Sequence, residues 1–144
     1  MPAYLQTDRP LVLTTPLPTD TLIAVAVAAH EGISQLFHYQ IDCRAERGTA
    51  IDFSKLLGQK VALKLEVPPK KERFFSGVCI RATQGETDRD FDNYRLDVVP
   101  QFWLLSKRAQ SRIFQQVAVP DILKTVLTGL DVAFQLQGKF EPRD

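Results

Sequence analysis

A mainly β fold is what the sequence predicts, on three observations. Apolar and polar residues alternate through most of the chain; nine prolines and seven glycines cut it into short segments; only one stretch carries a helical apolar face. Successive side chains of a strand point to opposite faces, so a half-buried strand writes a period of two into its sequence.

The elements follow in order. Leu11-Val12-Leu13 is closed off by Pro16 and Pro18, and Leu22 to Ala29 reads as a strand with Leu22, Ala24 and Ala26 on one face and Ile23, Val25 and Val27 on the other. Both faces are apolar, which suggests deep burial or an interface. Glu31-Gly32 turns the chain into Leu36 to Arg44, where Phe37, Tyr39, Ile41 and Cys43 alternate with His38, Gln40 and Asp42. Asp52 is placed to cap a short helix, Phe53 to Leu57, and Gly58 to end it in the left-handed conformation. Val61, Leu63, Leu65 and Val67 then alternate with polar neighbours up to a polar hairpin loop, Pro68 to Arg73. Phe74 to Ala82 returns, with Phe74, Val78 and Ile80 on one face and Gly77 admitting another backbone. A charged loop, Gly85 to Asp92, leads to Tyr94, Leu96 and Val98, and the three runs form an antiparallel meander.

From Phe102 the character changes. Phe102-Trp103-Leu104-Leu105 is a compact apolar cluster, and Arg112 to Gln115 is a candidate strand. Pro120 and Asp121 open a medium-length helix with Ile122, Leu123, Val126 and Leu127 on its apolar face, ending at Gly129. Asp131 to Leu136 is a candidate final strand before the polar tail Gly138 to Asp144.

With 144 residues, 44% hydrophobic and 24% charged, the proportions are those of a globular domain that needs no metal or disulfide staple. A formal charge of +1 argues against nucleic acid as a partner. Cys43 and Cys79 read as buried thiols. No apolar leader opens the sequence, and Leu22 to Ala29, the longest apolar run, is far short of the ~20 residues a membrane helix needs.

The search for chemistry yields no catalytic, cofactor-binding or metal-ligating residue. Neither phosphate-cradling glycine motif occurs, so no nucleotide is expected. Gly32-Ile33-Ser34 lacks the second glycine of a nucleophile elbow, and Ser34 reads as a turn residue. His30, His38 and Cys43 could suggest a metal, but His38 and Cys43 are five residues apart on a strand and face opposite sides. Glu66, Asp97 and the acidic loop Glu86 to Asp90 are interleaved with cations and read as solvated. Trp103, Phe102, Phe114 and Tyr94 could stack single-stranded bases, but the basic groove is missing and core packing accounts for them better.

The ordered set Arg73-Phe74-Phe75-Ser76-Gly77-Val78, Tyr94-Arg95-Leu96, Val99 to Leu105, Ser111 to Gln115 and Val119 to Leu123 resembles the N-terminal hub region of VgrG proteins, the spike of type VI secretion. Glu31 to Phe37 and Leu56-Leu57-Gly58 fit the same pattern, so the resemblance spans roughly Leu22 to Leu127.

It implies a β-barrel-like antiparallel fold similar to a phage baseplate hub, with a first barrel over residues 1–100 and the start of the following segment over 101–144, as part of a longer chain. It also implies a non-enzymatic structural component, trimeric in the full-length chain. That component would seat on the inner tube protein, contact baseplate components, and carry the needle with its effectors or adaptors. No cofactor, nucleic acid or small-molecule substrate is implied. The spike would be assembled in the cytoplasm and secreted without a cleaved signal peptide, into the medium or a target cell. Leu22 to Val27 would serve as core strand or subunit contact, and Arg108 and Arg112 as interchain, intrachain or solvated cations. The competing expectation is a free-standing β-barrel module that binds glycan or peptide through Trp103 and its neighbours.

Overall fold

The computed structural model describes residues 4–68 and 71–142. The chain divides into two compact units, Met1–Pro100 and Gln101–Asp144. Pro69 and Lys70 of the expected hairpin loop, and Arg143 and Asp144 of the tail, lie outside the described residues.

The first unit is a six-stranded antiparallel sheet built from β1 (Leu11–Thr14), β2 (Ile23–His30), β3 (His38–Glu46), β4 (Lys60–Val67), β5 (Lys71–Thr87) and β6 (Phe91–Val99), in the spatial order β1-β4-β5-β6-β3-β2. The two end strands, β1 and β2, come within contact of each other, which gives the sheet its barrel-like curl. The expected meander is β4-β5-β6. β5 makes the curl possible, because it pairs with β4 over Lys71–Val78 and with β6 from Val78 onward. Gly77 sits where it changes partner. A Cβ there would lie 2.4 Å from the Val99 carbonyl oxygen, so the close backbone approach expected of this glycine is present. Asp52 accepts from the Ser54 amide at the head of a single 3-10 turn, Phe53–Lys55, and Gly58 takes φ +75° after it.

The core follows the alternation: Tyr39, Ile41, Cys43 and Ala45 of β3, Val61 and Leu63 of β4, and Tyr94, Leu96 and Val98 of β6 point inward. Each large aliphatic side chain so buried contributes about 1.5–3 kcal/mol. Two strands depart from expectation, and each is irregular in register. In β2 the register slips between Ala24 and Ala26, so the inward set is Leu22, Ala24 and Val27, and Val25 and Ala26 are exposed. In β5 the expected Phe74, Val78 and Ile80 face does not stay together, since Val78 is buried and Ile80 half-buried. Phe75 and Cys79 enter the core, Phe74 is 63% exposed, and a slip between Cys79 and Arg81 then turns Ala82 inward. Gly85 to Asp92 is also not all loop, since β5 runs to Thr87 and β6 begins at Phe91. At the sheet's other end, Gln6 satisfies β1: its Nε2 donates to the Leu13 carbonyl at 3.1 Å, and the Leu13 amide donates to its Oε1 at 2.6 Å.

The second unit contains a 3-10 segment, Gln101–Lys107, which includes the apolar cluster Phe102-Trp103-Leu104-Leu105, and α1 (Val119–Val126), with Pro120 and Asp121 in its first turn. Gly129 takes φ +89° beyond its end, as expected. Neither Arg112–Gln115 nor Asp131–Leu136 forms a strand. A strand exists only in a ladder, and no described strand pairs with either segment.

Candidate functional site: the charged outer face of the sheet

The residues that alternate with the core of β3 and β6 build a polar outer face. Strand pairing aligns them in rungs: Gln40 opposite Asp97 opposite Arg81, then Asp42 opposite Arg95 opposite Thr83, then Arg44 opposite Asn93. Each rung is bonded. Gln40 Nε2 donates to Asp97 Oδ1 at 3.1 Å, Arg95 Nε donates to Asp42 Oδ1 at 2.7 Å, and Arg44 Nε donates to Asn93 Oδ1 at 3.0 Å. Asp97, 7% exposed, also lies 3.3 Å from His38 Nε2 and 3.7 Å from Arg81 Nε. With Val25 at its margin, this face lines an open groove of about 590 Å³.

Two smaller clusters flank it. Asp92, 7% exposed, accepts from Thr87 Oγ1 at 2.6 Å and the Gly48 amide at 3.0 Å, and these donors hold its carboxyl below the usual carboxylate range. Asp88 is held low by the amides of Asp90 and Phe91. At the β2–β3 turn, Glu31 accepts from Tyr39 Oη at 2.5 Å and pairs with Arg73, whose guanidinium stacks on Phe75. Burial and the bond to Glu31 push the Tyr39 hydroxyl up to about 12.

The carboxyl shifts at Asp52, Asp88 and Asp92 are downward, opposite to what a general acid requires. Burial raises the thiols of Cys43 and Cys79, both free and buried, away from the reactive thiolate. Ser34 sits at φ +59° in the turn closed by the Gln35 amide on the Gly32 carbonyl.

Glu66 faces β5 across from Glu72. Tyr94 is core, edge-on to Phe53, as core packing would have it. Phe102 is not core: it is 44% exposed, beside a half-buried Trp103 whose ring carries Lys107 Nζ at 4.5 Å. Ile113, 89% exposed, neighbours a half-buried Phe114. Arg112 bonds within its own unit, to Gln110 and to the Thr125 carbonyl.

His38 and Cys43 do face opposite sides, one toward Asp97 and the other into the core. The sequence reading missed that His30 lies directly opposite His38 in the β2–β3 ladder. No local signal marks it, because residues 31–37 join the two strands and a connection of that length does not by itself fix their register.

The model of the phage tail baseplate hub (GPD) family matches residues 30–144. Among curated proteins, the type VI secretion system spike protein VgrG1c of Pseudomonas aeruginosa is 31% identical over 127 residues, covering 88% of this chain and 17% of its own length. VgrG1a of the same organism is 32% identical over 126 residues, covering 88% of this chain and 19% of its own. VgrG3 of Vibrio cholerae is 29% identical over 111 residues, covering 75% and 11%. The chain thus spans less than a fifth of the length of these relatives. The solved structure of the E. coli c3393 protein is described as a type VI secretion component with structural similarity to the T4 bacteriophage tail proteins gp27 and gp5. It superposes with a TM-score of 0.73 at 20% identity, over 92% of this chain and 37% of that one. The ordered motifs, the antiparallel barrel-like sheet and the family match agree: the chain belongs to the phage tail baseplate hub (GPD) family, as a hub region of the VgrG type.

Proposed function

We propose that this chain is the hub region of a type VI secretion spike and that its work is mechanical. Within a longer chain it forms a trimer that seats on the inner tube protein, contacts the baseplate and carries the needle with its effectors or adaptors. The spike is assembled in the cytoplasm and leaves without a cleaved signal peptide. Residues 1–100 are its first barrel, and 101–144 open the following segment. The observation that carries this reading is the hub-family match over residues 30–144, joined to spike relatives that align over 88% of the chain. The bonded rungs of the outer face support it, since the cross-strand Gln40–Asp97 hydrogen bond and Asp42–Arg95 ion pair stabilise the pairing of a sheet that must transmit force.

The test is native and denaturing mass spectrometry of the product isolated from its source organism, with the secreted proteins compared before and after deletion of the gene. A trimer of chains several times heavier than 16.3 kDa, with tube protein lost from the medium on deletion, is the expected result. A 16.3 kDa monomer with secretion intact would overturn the reading. Exposed Phe102 beside Trp103 supports a second reading, a module that binds glycan or peptide. Saturable quenching of Trp103 fluorescence by such ligands would establish it.

A further inference from the structure

The end of the β2–β3 hairpin holds the chain's two histidines in one cross-strand rung. Directly opposed residues of an antiparallel pair share a face, with Cβ atoms about 4.5–5.5 Å apart, which lets two imidazoles converge on one ion. Neither is enclosed: His30 is exposed and the His38 side chain is 41% exposed. On the inner side of the rung, Asp97 lies 3.3 Å from His38 Nε2 and is itself anchored by Gln40 and Arg81. A carboxylate beside Nε2 attracts the imidazole proton to that nitrogen electrostatically and leaves Nδ1 as the lone-pair donor.

We infer that His30 and His38 form a surface site for a late first-row divalent metal ion, with Asp97 as the residue that positions His38. Among the described residues no group of three or more His, Cys, Asp or Glu can hold a metal, so water completes the coordination. Two imidazole donors and water favour Cu²⁺ over Zn²⁺ and exclude Mg²⁺, which requires a shell of hard oxygen donors. Bound there, the ion clips β2 to β3 at the turn end of the hairpin, β3 being the strand through which β2 joins the sheet.

The experiment is calorimetric titration of the tag-free 144-residue chain with Zn²⁺, Cu²⁺ and Mg²⁺, beside NMR of the histidine ring resonances. The expected result is one Zn²⁺ per chain, tighter Cu²⁺, no Mg²⁺, and perturbation of both imidazoles. His30→Gln and His38→Gln should each weaken Zn²⁺ at least tenfold, and Asp97→Asn about tenfold with the stoichiometry kept. Both histidines are solvent-facing, so the circular dichroism of their variants should match the wild type and separate lost binding from lost fold. Absence of Zn²⁺ binding at millimolar concentration would overturn the site, as would unchanged affinity in either histidine variant.

Discussion

Replacing Gly77 by alanine tests the close crossing at which β5 passes from β4 to β6. The new Cβ would meet the Val99 carbonyl oxygen at 2.4 Å, Val98 Cγ1 at 2.9 Å and Phe37 Cε2 at 3.1 Å, whereas ordinary contact begins near 3.4 Å. The oxygen belongs to the backbone of β6 and cannot rotate away, so the ladder itself must move by about 1 Å where Val78 faces Val99. Overpacking of this kind costs about 1–3 kcal/mol, and three simultaneous contacts place this site at the upper end. Removing a glycine from the unfolded chain offsets about 0.4–1 kcal/mol, leaving a net loss of about 2 kcal/mol. At about 1–3 kcal/mol per molar of urea, the unfolding midpoint should fall by about 1 M. Far-ultraviolet circular dichroism is the appropriate signal, because Trp103 belongs to the other unit. Gly85→Ala is the internal control: its Cβ meets nothing nearer than the Asn93 carbonyl at 3.6 Å, so its midpoint should stay within about 0.5 kcal/mol of wild type. If Gly77→Ala unfolds with Gly85→Ala, the crossing is not as tight as the reasoning requires.

Two further outcomes are expected. Asp88 and Asp92 are held below their ordinary values by hydrogen-bond donors, so the stability they contribute is full above about pH 4, the unfolded carboxylate value, and is lost as pH falls through their lower folded values. Asp92→Asn should therefore flatten acid unfolding below pH 4 in a pH titration of the melting temperature, and an unchanged acid limb would contradict the assignment. Gln6→Leu should leave the Leu13 amide and carbonyl without the partners Gln6 supplies, costing about 1–3 kcal/mol, with faster hydrogen exchange at the Leu13 amide. Exchange at the wild-type rate would show that the clip does not form in solution.

The fold class, the inward faces of β3, β4 and β6, the capped turn after Asp52, the helix opened by Pro120 and the tight site at Gly77 were legible in the chain, because each is a local pattern: a period of two, a capping residue, a missing Cβ. Of the candidate site, the shared outer face of His38, Gln40 and Asp42 on β3, opposite Cys43, could be read in that way. What tertiary structure alone decided is non-local. The bulges at Val25 and Ile80 changed the faces of β2 and β5 beyond those points, since one extra residue changes the parity of everything after it, and nothing in either run marks where the slip occurs. The rungs Gln40–Asp97 and Asp42–Arg95 join residues more than fifty positions apart, and Gln6 reaches β1 only through the path of the N-terminal segment. Arg112–Gln115 and Asp131–Leu136 show the limit from the other side: they read as strands, but alternation only chooses a face, and a strand forms where a neighbouring backbone supplies its hydrogen bonds.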